Sequence, residues 1–504
     1  MSQTIEANTP VNEITFSPRS IISVSMSVRS FSWRGLRKSA SQELTCWAYY
    51  FVSQKCVSKP LTGKYTKCIF YGVTILAGGL HMSYYLLSAK ISGVKNIHKR
   101  IFLEFYKRTI DRSFDPDKYR VKGVFGENGF GKTAIITAFY IYQALIIRSD
   151  FIATNPQYLL ETINKMTKEF SFECEFAHID QGAISVLRHN IRLGLVGSSF
   201  QLLNESLDIR NGNNPKSEYT PVFSVEKGKL IATVPGTDMD TWNEATINLL
   251  SKSTLSSLLL GKSELMDNGV VANSVYMLLD FASHMFVSLR NEDEHAMYFI
   301  ANNSTAPEQL QNEVVGSYSL LKEKKVLKPM FESYERRVHG MEKFIKLFKS
   351  NLKSIDIVRQ EAGEYYSCQL NMNYGDYRIN SEFESEGIKK LISIYDALRS
   401  AANGGIVFID EMDANVNSIY LETLIEYMML YGKGQLCFTS HNIDIMNVLK
   451  DNKYSIDFLN SNQEIVRWIN NGNKSPVNTY KNGLIEGMPY NIFATDFIGV
   501  FGEA

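Results

Sequence analysis

The chain has 504 residues, of which 44% are hydrophobic and 21% charged, a composition typical of a globular protein with more than one lobe. Its 53 basic and 53 acidic residues balance, so net charge indicates no charged partner, and a nucleic-acid surface would have to be a local patch. The six cysteines form no C-x-x-C pair, which excludes a regular disulfide framework or cysteine metal site and favours the reducing cytoplasm.

Residues 1–81 differ from the rest of the chain. They carry more basic than acidic residues and show no clear helix or strand period. Two interpretations stay open: a poorly patterned extension, or translated upstream sequence before a natural start at Met82. The uncharged run 68–89 is long enough to span a bilayer. Its second half is needed for a strand, however, so we expect no membrane contact.

A phosphate-binding loop is predicted after two short strands. The strands, at 84–94 and 101–106, alternate apolar and polar residues. The loop fits G-x-x-x-x-G-K-[ST] without mismatch and precedes an apolar helix over 134–146. Strand, glycine loop and helix form the setting in which this motif binds a nucleoside triphosphate. The loop consists of Gly126, Glu127, Asn128, Gly129, Phe130, Gly131, Lys132 and Thr133.

The residue types of this loop suit phosphate chemistry. Glycines let backbone N–H groups turn toward the phosphates, and the helix N-terminus adds partial positive charge. Lys132 is expected to reach the β- and γ-phosphates of ATP, and the Thr133 hydroxyl to bind Mg²⁺. The alternative is an ordinary glycine turn before a helix, and the downstream motifs argue against it.

The middle of the chain predicts an antiparallel sheet lobe followed by helices. Strands are predicted at 172–179, 185–195, 199–207 and 220–225. Helices are predicted at 242–260, 271–290 and 306–360, the last divided at Pro329. We interpret the lysine-rich part of the last helix as an amphipathic bundle. The alternative is a short arm that contacts a partner or nucleic acid.

Residues 365–383 predict a β-hairpin around a Tyr-Gly-Asp turn. A small-residue turn follows at 384–390 and opens a helix that runs to about residue 402. This turn contains Ser385 and Gly387.

Two adjacent acids end a strand in the last part of the chain. Residues 406–409 are apolar, which suits a strand buried on both faces of a parallel sheet. Asp410 is expected to hold Mg²⁺, and Glu411 to orient the attacking water. A helix over 418–431 and a strand over 434–439 then lead to His441, which is expected to contact the γ-phosphate. An apolar run ending in acids is a weak pattern alone, but paired with a phosphate loop it is strong.

With these motifs placed, the chain resembles the SMC/RecF/OLD-type branch of ATP-binding-cassette ATPases. G-E-N-G-F-G-K-T is similar to that branch's phosphate loop, and the turn with Ser385 and Gly387 resembles a degenerate cassette signature. The resemblance implies an α/β fold: a P-loop ATP-binding-cassette-type head, with a mixed sheet flanked by helices, an antiparallel sheet lobe and a helical insertion. The implied divisions are 1–81, the head at 82–237, the insertion at 238–361 and the second part of the head at 362–504.

Within that branch the chain looks most like ATPase subunits of anti-phage systems, such as AbiL-type abortive infection and PARIS. The resemblance implies an ATPase with ATP and Mg²⁺ that assembles as a homo-oligomer through its heads. The turn with Ser385 and Gly387 would then contact ATP on a second copy. It also implies control of a separate effector, such as a Toprim-like nuclease, with DNA or a phage protein as the trigger.

Three other functions stay open. A RecF-like DNA-binding ATPase of repair or recombination is favoured by a basic stripe. A transporter's cassette subunit is disfavoured by the poor signature, and a nucleotide-binding scaffold without turnover by the intact acid pair. The stripe consists of Lys322, Lys324, Lys325, Lys328, Arg336, Arg337, Lys343, Lys346, Lys349 and Lys353.

Overall fold

The computed structural model describes residues 84–107, 109–260, 262, 265–266, 268–289, 320–452, 454–470 and 474–488. The predictions for the extension 1–81, for Met82, for most of the run 68–89 and for the start of the helix over 306–360 lie outside these residues. Within the described ranges, every helix is too short or too polar to cross a membrane.

The strands and helices are numbered in chain order. The strands are β1 (Tyr84–Ser92), β2 (Ile101–Glu104), β3 (Val121–Phe125), β4 (Glu169–Asp180), β5 (Ala183–Val196), β6 (Ser199–Asn211), β7 (Thr220–Glu226), β8 (Lys229–Thr233), β9 (Met285–Ser288), β10 (Lys324–Leu327), β11 (Ser354–Ala362), β12 (Tyr365–Asn373), β13 (Arg378–Asn380), β14 (Ile406–Ile409), β15 (Gln435–Thr439), β16 (Ile456–Leu459) and β17 (Ile465–Arg467). The α-helices are α1 (Lys132–Ile147), α2 (Phe151–Thr154), α3 (Pro156–Thr162), α4 (Met239–Thr246), α5 (Leu255–Leu260), α6 (Gly269–Ser283), α7 (Phe331–Phe348), α8 (Glu386–Ala402), α9 (Ser418–Tyr431), α10 (Met446–Leu449) and α11 (Pro476–Lys481).

The core is a six-stranded mixed sheet with the order β17-β16-β3-β15-β14-β9. All pairings are parallel except that of β16 with β17. β3, β14 and β15 are buried along their whole length, as apolar central strands of a parallel sheet should be. The carboxyl ends of these three strands therefore meet at one edge of the sheet, where α/β proteins bind ligands.

Helix α1 lies between the core sheet and a second, antiparallel sheet with the order β2-β1-β4-β5-β6-β7-β8. The Phe139 ring stacks on Phe408 of β14, with ring centroids 3.8 Å apart. The Phe139 ring also meets the Phe172 ring of β4 edge to face, with ring centroids 5.1 Å apart. The residues of α1 from Ala134 to Ile146 are all buried. A helix that packs between two sheets is apolar on all sides.

A buried amide joins the two sheets. The Gln435 side chain in β15 accepts a hydrogen bond from the Leu86 backbone N–H (2.6 Å) and donates one to the Leu86 carbonyl (3.0 Å). The pairing of β1 with β4 shifts register between Leu86 and Ser88, so a β-bulge frees these groups from the ladder. Gln435 satisfies both of them in a site where unpaired polar groups would be destabilising.

Two of the predicted helices are shorter than expected. The helix predicted over 242–260 is divided into α4 and α5, because Asn248 has a left-handed backbone with φ +64° and the Thr254 hydroxyl donates to the α1 backbone (2.8 Å). The helix predicted over 271–290 ends with α6, and β9 follows it as an edge strand of the core sheet. A short apolar run does not distinguish helix from strand, and pairing with β14 decides the outcome.

The prediction of a helix over 306–360 is wrong for the described residues on both sides of α7, which form strands. β10 and β11 pair with the two sides of β12 in a small antiparallel sheet. Pro329 lies in a 3-10 turn before α7 and divides no helix. Ile355, Ile357 and Val358 in β11 are β-branched, which favours a strand. The expected helical insertion is therefore a mixture of helices and strands over the residues that the structure describes.

Candidate nucleotide-binding site

The predicted phosphate loop runs from the end of β3 to the start of α1. Gly129 and Gly131 have left-handed backbones, with φ +83° and +114°, which side chains with a Cβ rarely adopt. A Cβ on Gly126 would lie 2.5 Å from the Leu459 carbonyl oxygen, and one on Gly131 would lie 2.8 Å from the Ile97 side chain. The loop therefore requires glycine both for its conformation and for the close approach of neighbouring elements.

Two turns support this loop from outside. The Asn96 side chain, in the turn between β1 and β2, donates to the Gly129 carbonyl. The Gln463 side chain, in the turn between β16 and β17, accepts from the His98 N–H (2.9 Å) and donates to the Asn96 carbonyl (2.8 Å). Two turns far apart in sequence thus fix the outer side of the loop.

Lys132 begins α1 and is only 5% exposed. Its ammonium group donates to the carbonyl oxygens of Gly126 (2.6 Å) and Glu127 (3.0 Å). Burial lowers the pKa of Lys132 to about 8, and the nearby Asp410 and Glu411 carboxylates oppose this shift. A phosphate group beside the ammonium would favour its charged form.

The Asp410 carboxylate joins three elements at the edge of the core sheet. Asp410 follows β14 and is 2% exposed. Its Oδ1 accepts hydrogen bonds from the Thr439 hydroxyl at the end of β15 (2.7 Å) and from the Thr133 hydroxyl in α1 (3.2 Å). The structure therefore brings Thr133 and Asp410 together, as expected of the two predicted Mg²⁺ ligands.

These oxygen atoms fit Mg²⁺. The ion prefers hard oxygen ligands and is commonly held by one or two carboxylates, together with waters and substrate phosphates. Among the described residues, no group of three or more His, Cys, Asp or Glu side chains could hold a metal. A single carboxylate with a neighbouring hydroxyl matches a metal that arrives with its nucleotide, rather than a dedicated protein cage.

Glu411 adopts a left-handed backbone with φ +44°, which is unfavourable for a residue with a side chain. Its N–H donates to the Thr439 hydroxyl (2.8 Å), the same hydroxyl that donates to Asp410. Strained conformations of this kind persist where the surrounding structure imposes them, often at functional sites. Thr439 thus fixes the backbone from which the Glu411 carboxylate projects.

His441 follows β15 and is held by the loop after the acid pair. Its backbone N–H lies 3.1 Å from Oδ2 of Asp413, and the Asn442 N–H donates to the same oxygen at 2.9 Å. His441 and the start of the phosphate loop share one cavity of about 280 Å³. The lining residues are Phe125, Gly126, Glu127, Asn128, Ser440, His441, Ile443 and Tyr480.

The signature-like turn lies on another side of the acid pair. Ser385 precedes the first residue of α8, and a Cβ on Gly387 would lie 2.5 Å from the Asn415 carbonyl oxygen. The Lys390 ammonium group donates to the Asp410 carbonyl (3.1 Å). Over the described residues, no hydrogen bond joins Ser385 or Gly387 to the phosphate loop of the same chain.

Thr439, Asp413 and Tyr480 are site residues that sequence reasoning missed. Thr439 ends the strand beside β14, so its position at the sheet edge was the pattern that could have found it. Asp413 lies in the loop after the acid pair, but the hydrogen bonds that it accepts from the His441 segment depend on tertiary contact. Tyr480 belongs to α11, whose place beside the phosphate loop has no counterpart in the sequence pattern.

The buried Lys132 predicts a pH dependence of nucleotide binding. Below about pH 8 the ammonium group is already charged, so the affinity for ATP should be nearly constant. Above that pH, binding must take up a proton at Lys132, and the affinity should fall by up to about tenfold per pH unit. Titration calorimetry over this pH range measures the affinity for ATP. Lys132→Arg, which stays charged, is the control, and parallel profiles for the two proteins would contradict the assignment.

Thr439→Val removes the hydroxyl that connects Asp410 with Glu411 while keeping the side chain's shape. We expect ATP turnover to fall about ten- to a hundredfold, as is typical when a supporting group of a metal site is lost. Steady-state phosphate release measures the effect. Thr233→Val is the control, because the Thr233 hydroxyl at the end of β8 also donates one hydrogen bond but lies outside the site. This variant should leave turnover unchanged. Equal turnover by Thr439→Val and wild type would contradict this role.

Comparison with known proteins supports the same class of protein. Residues 256–447 match the family described as "AAA domain, putative AbiEii toxin, Type IV TA system". The matched stretch contains the turn at Ser385, the acid pair and His441, while the phosphate loop precedes it. No curated protein matches the chain. The family match supports a nucleotide-binding ATPase of the AAA or ABC-like kind.

Proposed function

We propose that the chain binds and hydrolyses ATP at the edge of the core sheet. The observation that carries this proposal is the contact of the Thr133 and Asp410 side chains, which are 277 residues apart in sequence and 3.2 Å apart in space. Phosphate-loop ATPases need a hydroxyl and an acid side by side to hold the metal ion that bridges the phosphates. A plain glycine turn would have no reason to meet the acid that ends β14.

Thr133 and Asp410 would hold Mg²⁺, which neutralises negative charge on the phosphates when bound. Lys132 would leave the carbonyls of Gly126 and Glu127 and contact the β- and γ-phosphates. The backbone N–H groups of the loop and the N-terminus of α1 would hold the remaining phosphate oxygens. The glycine requirement at three positions of the loop supports this arrangement.

Glu411 would act as general base, accepting a proton from the water that attacks the γ-phosphate. Its fixed, left-handed backbone supports this role, because a base must be held in reach of its water. His441 would contact the γ-phosphate and respond to its loss. The backbone N–H groups of His441 and Asn442 donate to the Asp413 carboxylate, and these bonds connect the His441 segment directly with the loop after the acid pair.

We further propose a regulatory role in abortive infection. The chain would assemble as a homo-oligomer through its heads, with Ser385 and Gly387 of one copy closing over ATP on another. A separate effector, such as a Toprim-like nuclease, would respond to the assembled state, and DNA or a phage protein would be the trigger. The sequence resemblance and the toxin named in the family's description support this context.

The alternative of a RecF-like DNA-binding ATPase depends on the basic stripe predicted around α7. At least half of the stripe's side chains form ion pairs within the chain, which leaves less charge available for phosphates. The pairs are Lys328 with Glu361, Arg336 with Glu332, Arg337 with Asp396, Lys346 with Glu342 and Lys349 with Glu384. This pairing supports the regulator over the DNA-binding ATPase.

Glu411→Gln should keep ATP binding but lower turnover by at least about a hundredfold, the usual contribution of a general base. Because hydrolysis would release the assembled state, the variant should also form a larger particle that persists with Mg·ATP. Light scattering measures the mass and phosphate release the rate. Glu244→Gln, at an exposed position of α4, is the matched control. Turnover at the wild-type rate would remove Glu411 from the mechanism, and a monomer under every condition would remove assembly through the heads.

A further inference from the structure

Helix α9 leaves the site directly after the loop that holds His441. The Asn417 side chain accepts a hydrogen bond from the Ile419 N–H (3.0 Å) and so caps the helix. One face of α9, with Leu421, Ile425 and Met428, is buried in the core beneath the sheet. Spacing of four and three residues along this face is what an amphipathic helix needs to pack on one side.

The opposite face of α9 is also apolar, although it is exposed. Five large side chains, which we call the α9 face, point away from the buried side. They are Ile419 (73% exposed), Tyr420 (45%), Tyr427 (49%), Leu430 (69%) and Tyr431 (66%). The Tyr427 and Tyr431 rings lie 5.4 Å apart, so the exposed area is continuous. Surface helices normally carry charged residues here, and an apolar patch of this kind marks an interaction site.

The exposed area of the α9 face approaches that of one side of a protein interface. Half to three quarters of five such side chains comes to on the order of 600 Å². Each partner of a standard protein interface contributes about 800 Å². At one end of the face, the Tyr420 ring lies 5.3 Å from the Phe348 ring of α7. Tyrosine is also among the residues that dominate interface energetics.

The order of residues along the face suits a second copy of the same helix. The pattern of a helix–helix seam, with spacings of four, three and four residues, is formed by Tyr420, Leu424, Tyr427 and Tyr431, of which Leu424 is partly buried against the core. This pattern is symmetric about its middle. In an antiparallel pair related by a two-fold axis, Tyr420 would meet Tyr431 of the other copy, and Leu424 would meet Tyr427.

The charges on α9 are compatible with such a pair. Glu422 and Glu426 are the acids of this helix. At about 3.6 residues per turn, both acids lie on a different side of the helix from Tyr420, Tyr427 and Tyr431, so no acid enters the seam. A seam from residue 420 to residue 431 would be about 16 Å long. An isologous contact of this kind closes after two copies and does not propagate.

We propose that the α9 face is a dimer interface that joins two copies of this chain, antiparallel, without nucleotide. This dimer goes beyond the proposed ATPase function, because its interface uses neither the phosphate loop nor the turn with Ser385 and Gly387. Its position is relevant to regulation, since α9 connects the acid pair with the strand that delivers His441. A contact that restrains α9 would also restrain the acid pair and His441.

A charge-exchange experiment tests the partner and the register together. The full chain is studied without nucleotide by light scattering over a range of concentrations. Tyr431→Glu and Tyr420→Lys should each raise the dimer dissociation constant at least about tenfold, because each leaves a charge against a tyrosine. The double variant should recover most of the affinity, since residue 420 of one copy then meets residue 431 of the other with opposite charge.

Tyr276→Glu, at a 51% exposed tyrosine of α6, is the matched control and should leave the dimer intact. All variants are at exposed positions, so each should fold as wild type does, which the circular dichroism spectrum checks. A wild-type monomer without nucleotide at every concentration would overturn the proposal, whether or not the protein hydrolyses ATP. So would dimers of Tyr431→Glu as stable as wild type. Loss of the dimer in both single variants without recovery in the double variant would overturn the antiparallel pairing.

Discussion

The structure of the site depends on the hydrogen bonds received by one buried carboxylate. Asp410 accepts from Thr133 at the start of α1 and from Thr439 at the end of β15. Through these two bonds, the helix that follows the phosphate loop and two central strands of the core sheet are fixed at one point. The same Thr439 hydroxyl receives the Glu411 N–H, so the proposed metal ligand and the proposed base share one support.

The surrounding layers keep this point rigid. Because α1 is packed between two sheets, its N-terminus has little freedom to move away from Asp410. The Gln435 side chain ties β15 to β1, and the turns around Asn96 and Gln463 hold the outer side of the loop. Lys132 is the part of this site that can change most easily, because its present partners are backbone carbonyls that a phosphate would replace.

The sequence predicted the parts of the fold with strong local patterns. The strand–loop–helix at the phosphate loop, the buried strand before Asp410, and the helix over 418–431 are confirmed, because glycine chemistry, unbroken apolar runs and an asparagine cap act locally. β11 was predicted as helix, although its partner β12 follows after a two-residue turn. β9 and β10 were also predicted as helix, since their conformation is decided by pairing with strands distant in sequence. Thr439 escaped notice for the same reason: its role exists only once β14 and β15 are neighbours.

The central claim is that this edge of the sheet hydrolyses ATP with Mg²⁺ held between Thr133 and Asp410. The most direct test is phosphate release from ATP by the purified full chain, with Mg²⁺ and with a chelator in its place. We expect turnover that requires Mg²⁺, that is lost in Lys132→Ala, and that survives in Lys118→Ala at an exposed lysine. Turnover that is independent of Mg²⁺, or equal in Lys132→Ala and wild type, would contradict this claim.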